Sequence, residues 1–368
     1  MNEMVTFFIV LFVPIFILIN FTPYWTRKTE SFGVSIPEEV YLSQQLKNMR
    51  KQYALITSLF SLFILALFWV SNIFIQYNEN TFTIMISVMI GLYLVGTFLV
   101  YLIFHQKMKS LKLTSDWGQK KSQLVVIDTT FRNQKLAYSN LWFIISFVIA
   151  FATMFITFKL YDQIPEKIPM NYNFAGEVTN WADKSYRSVL IMPVTQIYLT
   201  FILLFVNIVI IKAKQQISAE NPEKSLKQNI TFRRRWSAFT IWSGIALVLL
   251  LSLIQYSFIF PVDQSLLFTI SLILPFGMII WAIILSITTG QGGSRVKTGT
   301  DKTGKLIDRD HDQYWKLGQF YFNKNDPAIF LEKRFGVGWT NNWAHPVSWL
   351  IILAIILLAI VIPLLLTK

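Results

Sequence analysis

Long apolar runs alternate with polar, charged segments along the whole chain. Eight runs of about 20 residues, the length that crosses roughly 30 Å of hydrocarbon, lie near residues 4–24, 54–76, 82–104, 138–158, 189–211, 236–260, 265–287 and 347–366. Because lipid offers no partner for exposed backbone amides, such spans must be helices. The pattern therefore predicts an all-α polytopic membrane protein with about eight transmembrane helices.

Composition and charge support this prediction and orient it. Charged residues make up 14% of the chain, against about 25% in soluble proteins. The loops on one side of the predicted membrane hold 28 of the 33 Lys and Arg residues. The positive-inside rule makes that side cytoplasmic. We expect a multi-pass protein of the bacterial cell (inner) membrane, with both termini outside and with lipid, not nucleic acid, next to its basic residues.

The polar segments divide the chain into five predicted regions. These are an N-terminal three-helix membrane region (1–137), a helix-loop-helix unit (138–212) with an extracellular loop (159–188), a two-helix membrane region (213–287), a cytoplasmic insert made of a linker and an aromatic-rich module (288–346), and the last transmembrane helix (347–368).

Motifs for catalysis or for cofactor binding are incomplete. The chain has no cysteine, and His105, His311 and His345 do not form an H-x-x-x-H or H-E-x-x-H pair. Residues 299–305, "GTDKTGK", begin like a phosphate-binding loop, but Leu306 occupies the place of the hydroxyl residue that binds magnesium. We therefore expect no metal, no cofactor and no enzymatic activity.

The extracellular loop contains an unusual stretch, "IPMNYNFAGEVTNWADKSYRS", at 168–188. Short extended pieces at 170–173 and 178–181 flank a turn in which Gly176 supplies a positive φ, so we predict a β-hairpin. Two interpretations stay open: a hairpin that only joins two helices, or a site for an extracellular ligand. The candidate ligand-binding residues are Tyr172, Asn173, Gly176, Glu177 and Trp181.

A second candidate is a stripe of uncharged polar residues within the fifth and sixth runs. Gln196, Thr200 and Asn207 are spaced to share one helix face, and Gln255 lies in the next run. Such a stripe either joins helices by hydrogen bonds or lines a path for a transported solute or lipid.

Two stretches carry a resemblance to known families. The first contains Ile164-Pro165, Ile168-Pro169, Tyr172, Asn173, Gly176-Glu177, Trp181 and Lys184. With its flanking helices it resembles a bacterial membrane domain of unknown function found in SdpI-type immunity proteins. Asn171 stands where that family pattern has histidine.

The second stretch resembles a cytoplasmic module of unknown function that ends longer chains of this kind. Its matching residues are Tyr314-Trp315, Gly318, Tyr321, Asn323, Asp326-Pro327, Arg334, Gly336, Gly338-Trp339-Thr340 and Asn342.

The resemblance implies toxin immunity or envelope-stress signalling, since the SdpI-type protein senses an extracellular toxin and holds a transcription repressor at the membrane. The expected partners are an extracellular peptide and a cytoplasmic regulator, the latter at a surface of Tyr314, Trp315, Tyr321, Arg334 and Trp339. A transporter or lipid-handling protein is the alternative, and a structural partner for other membrane proteins is a third possibility.

Overall fold

The computed structural model describes residues 3–74, 79–115, 117, 135–172, 178–216, 222–296 and 312–367. Most of them are helical, as the apolar runs predict. The α-helices are α1 (Glu3–Asn20), α2 (Thr22–Trp25), α3 (Glu38–Tyr41), α4 (Gln44–Phe74), α5 (Glu79–Thr114), α6 (Phe143–Lys159), α7 (Tyr186–Lys212), α8 (Pro222–Tyr256), α9 (Gln264–Thr289) and α10 (Pro346–Thr367).

The long helices confirm an all-α polytopic membrane protein. Within the described residues, six helices are long and apolar enough to cross a membrane, and they are α4 to α9. The first and last apolar runs also form helices, α1 of 18 residues and α10 of 22 residues. Spanning by these two remains a prediction, and so does the orientation of the termini.

Four short antiparallel hairpins interrupt the helical structure of the described chain. Their strands are β1 (Glu30–Ser31) with β2 (Val34–Ser35), β3 (Lys167–Tyr172) with β4 (Val178–Asp183), β5 (Trp315–Lys316) with β6 (Phe320–Tyr321), and β7 (Phe330–Glu332) with β8 (Trp339–Asn341). The predicted hairpin is present as β3 and β4, and each strand is longer than expected. We call it the outer hairpin after its predicted side of the membrane. The residues of its turn, 173–177, lie outside the described residues.

The chain forms two compact units, and each is made of separate segments. One consists of Met1–Thr129, Lys214–Phe232 and Ser286–Ala344; the other of Thr130–Ala213, Arg233–Leu285 and His345–Lys368. We call them the first and the second unit. The insert between α9 and α10 groups with the N-terminal helices in the first unit.

The first unit is built around buried aromatic residues at the basic ends of α4 and α5. Phe32, on the β1–β2 turn, stacks on Phe104 of α5 with ring centroids 5.2 Å apart and lies 5.5 Å from the ring of Tyr53 on α4. Phe335 from the insert lies 4.5 Å from the ring of Tyr101. The insert therefore belongs to the same core as the loop after α1.

The second unit contains α6, most of α8 and α9, α7, α10 and the outer hairpin. Contact between α6 and α7 is extensive, and α10 packs on α7. A capping box starts α7: the Ser185 hydroxyl accepts from the Ser188 amide at 3.1 Å, and the Ser188 hydroxyl accepts from the Ser185 amide at 3.0 Å. This cap fixes where β4 ends and the membrane helix begins.

Candidate functional site

The outer hairpin is held on the ends of the membrane helices by its apolar face. Ile168 of β3 is fully buried, and Ile164, just before it, is 2% exposed. Both pack in one cluster with Val189 of α7 and Phe258 beyond α8. Burial of one such side chain contributes roughly 1.5–3 kcal/mol to the stability of the folded state. The apolar cluster therefore holds the hairpin in one position on the second unit.

The opposite face of the hairpin is not covered by the rest of the described chain. Trp181 of β4, which pairs with Pro169, is 52% exposed. Thr179 and Asp183 are exposed as well, and they share its face because side chains two residues apart on a strand point the same way. An exposed indole on a firmly seated strand is the type of side chain that dominates binding at protein interfaces.

The predicted ligand residues fall partly within the described hairpin. Tyr172 ends β3 and is half-buried, and burial raises the pKa of its hydroxyl. Asn173, Gly176 and Glu177 lie outside the described residues. The pairing of β3 with β4 thus brings Tyr172 and Trp181 onto one hairpin and leaves the other three as predictions.

Ionic and aromatic contacts also help to hold the hairpin in place. Lys184, directly after β4, places its ammonium 4.8 Å from the ring centroid of Tyr161, and Tyr161 stacks on Tyr186 at 4.6 Å. Lys167 and Asp183 form an ion pair of 3.0 Å across the strands, but both side chains are exposed. Exposed pairs contribute at most about 1 kcal/mol, so the apolar cluster decides the position of the hairpin.

The polar stripe of the fifth and sixth runs is fully buried in the second unit. Gln196, Thr200, Asn207 and Gln255 all have 0% exposure. The Gln196 amide donates to the Ser252 hydroxyl at 2.8 Å and to the Val248 carbonyl at 2.9 Å, and so joins α7 to α8. Ser252 also lies 2.8 Å from the Thr153 hydroxyl of α6. This part of the stripe connects three helices.

Asn207 makes a second, separate junction. Its amide donates to the Asn140 side chain at 2.8 Å, and its carbonyl oxygen accepts from the Ser237 hydroxyl at 2.6 Å. Thr200 donates within its own helix, to the Gln196 carbonyl at 2.8 Å. These contacts are those of hydrogen bonds between packed membrane helices.

Gln255 differs from the rest of the stripe. It is fully buried, yet neither its amide nitrogen nor its carbonyl oxygen has a hydrogen-bond partner among the described residues. The side-chain oxygens of Gln196 and Thr157 are also buried without a hydrogen-bond partner among the described residues. Buried polar atoms without partners are uncommon and costly. At this level of the bundle, hydrogen bonds among the described residues do not satisfy the stripe.

The aromatic-rich module is ordered, and most of the residues predicted to face a partner lie inside it. Trp315 and Tyr321 are each 6% exposed and Arg334 is 4% exposed; their burial gives them packing contacts. Tyr314 and Trp339 are partly exposed. The predicted partner contact stays a prediction, and it would have to use neighbouring exposed residues.

Arg334 is at the centre of a charged cluster in the first unit. Its guanidinium pairs with Asp312 and with Glu30, the latter at 3.8 Å, and lies 5.0 Å from the ring centroid of Trp315. Lys112 of α5 binds Asp312 at 2.6 Å. The N-terminal loop, α5 and the insert therefore share one network of opposite charges.

A second buried pair lies nearby and was not visible in the sequence. Glu332 of β7 has 0% exposure and pairs with Arg27, and the Asn229 amide donates to Glu332 at 2.8 Å. Arg27 also donates to the Gln216 side chain at 2.8 Å. The only sequence signal is the charge itself, since Arg27, Glu332 and the segment that holds Gln216 and Asn229 are far apart in the chain.

Asp326 binds the insert to Lys214, in the segment that follows α7 and belongs to the first unit. Lys214 donates to its carboxylate at 2.6 Å, and Tyr321 donates at 2.8 Å. Burial acts to raise the pKa of Asp326, but the bonds from Lys214, the Ala328 amide and Tyr321 outweigh it, so that pKa lies below its usual value. Burial also raises the pKa of Tyr321 to about 12.

Two family models match parts of the chain. One, described as a domain of unknown function (DUF1648), matches residues 148–197, and the other, described as a family of unknown function (DUF5808), matches residues 324–349. The first covers most of α6, the outer hairpin and the start of α7; the second covers β7, β8 and the start of α10. No curated protein matches the chain, and no solved structure does.

Proposed function

We propose that this chain is a non-enzymatic sensor or immunity protein of the bacterial cell membrane, whose outer hairpin recognises an extracellular peptide toxin or envelope component. The observation that carries the proposal is the two-faced hairpin: Ile168 is fully buried on the membrane helices, while Trp181 is 52% exposed on the other face. A loop that only joins helices needs neither a fixed seat nor an exposed indole.

Strand geometry supports a peptide as the ligand. β3 and β4 form a two-stranded sheet in the described chain, so each strand has an outer edge without a strand partner. An extended peptide adds to such an edge through main-chain hydrogen bonds, and side-chain contacts then select it. β4 is the better edge, because Pro169 removes one donor from β3. Trp181 would supply the selective contact.

A signal to a cytoplasmic regulator has a continuous covalent route. α7 begins directly after the hairpin at Tyr186 and ends at Lys212. Two residues later, Lys214 binds Asp326 of the insert. We propose that exposed residues around Tyr314 and Trp339 present the insert to the regulator, and that the buried aromatics Trp315 and Tyr321 keep its shape.

The test compares a deletion strain with single variants during exposure to secreted peptides from neighbouring strains. Growth and membrane permeability are measured at equal protein levels. We expect deletion and Trp181→Ala to sensitise cells alike, and Trp181→Phe to retain part of the protection. Trp349→Ala, which removes an equally exposed indole on α10, is the matched control and should protect fully. Full protection by Trp181→Ala would rule the hairpin out as the recognition site.

One observation favours the alternative, a transporter or lipid-handling protein. The fully buried Gln255 amide has no hydrogen-bond partner in the described chain. Such an amide would be free to bind a solute that passes along the helices. In that case Gln255→Leu would abolish protection or transport although the hairpin is intact. Under the sensor proposal the same variant keeps its response.

A further inference from the structure

A small cavity opens in the insert, between its two hairpins. It has a volume of about 190 Å³ and is lined by Gln319, Phe320, Lys333, Arg334, Phe335 and Thr340. The lining combines two basic side chains, two neutral polar side chains and two aromatic rings. All of these residues belong to the first unit.

Lys333 is the cation available to a ligand. Arg334 is already compensated, because it pairs with both Asp312 and Glu30. Lys333, by contrast, makes no ion pair within the described chain and is exposed to solvent in the cavity.

Contacts with α5 show how deep this hairpin lies. The Tyr101 hydroxyl donates to the Leu317 carbonyl at 2.9 Å, and the Phe320 ring lies 6.5 Å from that of Phe98. Phe98 lies about 4.5 Å further into the apolar span than Tyr101, given the helical rise of 1.5 Å per residue. His105 and Lys107 follow at the basic end of the span. The β5–β6 hairpin therefore packs on α5 near the basic end of the apolar span, the level at which lipid headgroups are expected.

Exposed apolar groups on the insert agree with that depth. Leu317 is 50% exposed, Phe320 38% and Phe322 41%. Aromatic rings are favoured at membrane interfaces. Lys316 is exposed beside them, and a basic residue at that level is attracted to anionic lipid.

We propose that this cavity binds the phosphate headgroup of an anionic phospholipid from the leaflet at the basic helix ends. The Lys333 ammonium carries the charge, and Gln319 and Thr340 offer neutral polar contacts. Phe320 and Leu317 pack against the start of the acyl chain. No residue of this site belongs to the outer hairpin. The lipid-binding proposal can therefore be tested independently of the sensor proposal.

The main test measures lipid stabilisation of the detergent-solubilised full chain. Adding phosphatidylglycerol is expected to raise the unfolding temperature above that in phosphatidylcholine. In Lys333→Gln we expect this gain to fall by at least half, whereas Lys333→Arg restores it. Lys324→Gln is the matched control, since Lys324 is exposed in the same insert but does not line the cavity. An equal gain in Lys333→Gln and wild type would overturn the proposal.

A second measurement separates a lipid from a soluble phosphate. Millimolar glycerol phosphate, added with phosphatidylcholine, should leave the unfolding temperature unchanged. If it reproduced the phosphatidylglycerol gain, the site would belong to a soluble phosphate compound and the lipid assignment would be wrong.

Depth can be measured directly, because the chain has no cysteine. A fluorophore on Phe320→Cys, in the full chain reconstituted in vesicles, should be quenched by lipids that carry a quencher below the headgroup. The same label on Lys324→Cys should be quenched less. Equal quenching at both positions, or none at position 320, would remove Phe320 from the membrane and contradict the proposed acyl contact.

Discussion

The Lys214 ammonium lies 2.6 Å from the Asp326 carboxylate, 112 residues away in the sequence. Lys214 is the second residue after α7, and Asp326 lies in the insert before β7. The Lys214 amide also donates to the Phe330 carbonyl at 2.8 Å. Backbone and side chain together attach the segment after α7 to the insert.

This pair predicts a pH-dependent stability. The folded-state pKa of Asp326 is below its unfolded value, so the stabilisation is present above the unfolded pKa and is lost as the pH falls through the folded pKa. Asp326→Asn should lower the free energy of unfolding at neutral pH by about 1.5–3 kcal/mol, the scale of a hydrogen bond to a charged group. The unfolding temperatures of variant and wild type, measured between pH 7 and pH 3, should therefore converge in acid. A difference that does not change with pH would contradict the ionic contribution.

The Arg27–Glu332 pair predicts strong non-additivity. Glu332 is fully buried, so Arg27→Met leaves an uncompensated carboxylate and should cost about 3–5 kcal/mol. Glu332→Leu removes the carboxylate that pairs with the Arg27 guanidinium. It should lower the free energy of unfolding by nearly as much. The double variant should be more stable than the sum of the single losses implies. Thermal unfolding of the four proteins measures the coupling; additive losses would mean that the two side chains act separately.

The seat of the outer hairpin depends on Ile168. Ile168→Ala removes a fully buried side chain and should cost about 2–5 kcal/mol of local stability. We expect faster hydrogen exchange and faster proteolysis within 164–184, while the membrane helices stay protected. Thr179→Ala, on the exposed face of β4, is the control and should leave both rates unchanged. Equal protection in Ile168→Ala would show that other contacts hold the hairpin.

Gln196 and Gln255 form a matched pair for the polar stripe. Gln196→Leu breaks bonds to Ser252 and Val248 and should destabilise the protein by about 1–3 kcal/mol. Gln255→Leu replaces an amide without a partner in the described residues by an apolar group of similar size, which should be neutral or stabilising. Thermal stability in detergent distinguishes the two. A large loss in Gln255→Leu would reveal a bound water or solute at that level.

Gly318 is required where the insert meets α5. Its φ is +70°, and an added Cβ would lie 2.5 Å from the Tyr101 hydroxyl and 2.6 Å from His105. Gly318→Ala should therefore separate the insert from α5 and increase its proteolysis. Gly338 also has a positive φ, of +116°, but an added Cβ would meet nothing within 4 Å. Gly338→Ala adds only backbone strain of about 1–3 kcal/mol, and the larger loss should belong to Gly318→Ala.

The candidate sites were recognisable in the sequence to different degrees. The hairpin was predictable from a local pattern, because prolines, turn residues and an alternating strand lie within some 20 residues of each other. The partner surface was harder to predict. Tyr314, Trp315, Tyr321, Arg334 and Trp339 are aromatic or basic whether they face a partner or the interior, and the structure buries three of them. Arg27, Glu332 and Asn229 carry no local signal.

The sequence by itself determined the membrane class and the helices, because crossing lipid demands about 20 apolar residues in one unbroken stretch. It also determined the outer hairpin, since β3 and β4 are close in the sequence and their pairing is a local property. Only the tertiary structure decided that the insert at 312–344 joins the N-terminal segment, through Arg27 with Glu332 and Glu30 with Arg334. Only the tertiary structure decided that the side chains of Gln196 and Asn207 form hydrogen bonds to other helices, whereas that of Gln255 forms none among the described residues. Pairing between distant segments depends on which charges and amides meet after the helices pack, and no short window of sequence contains both partners.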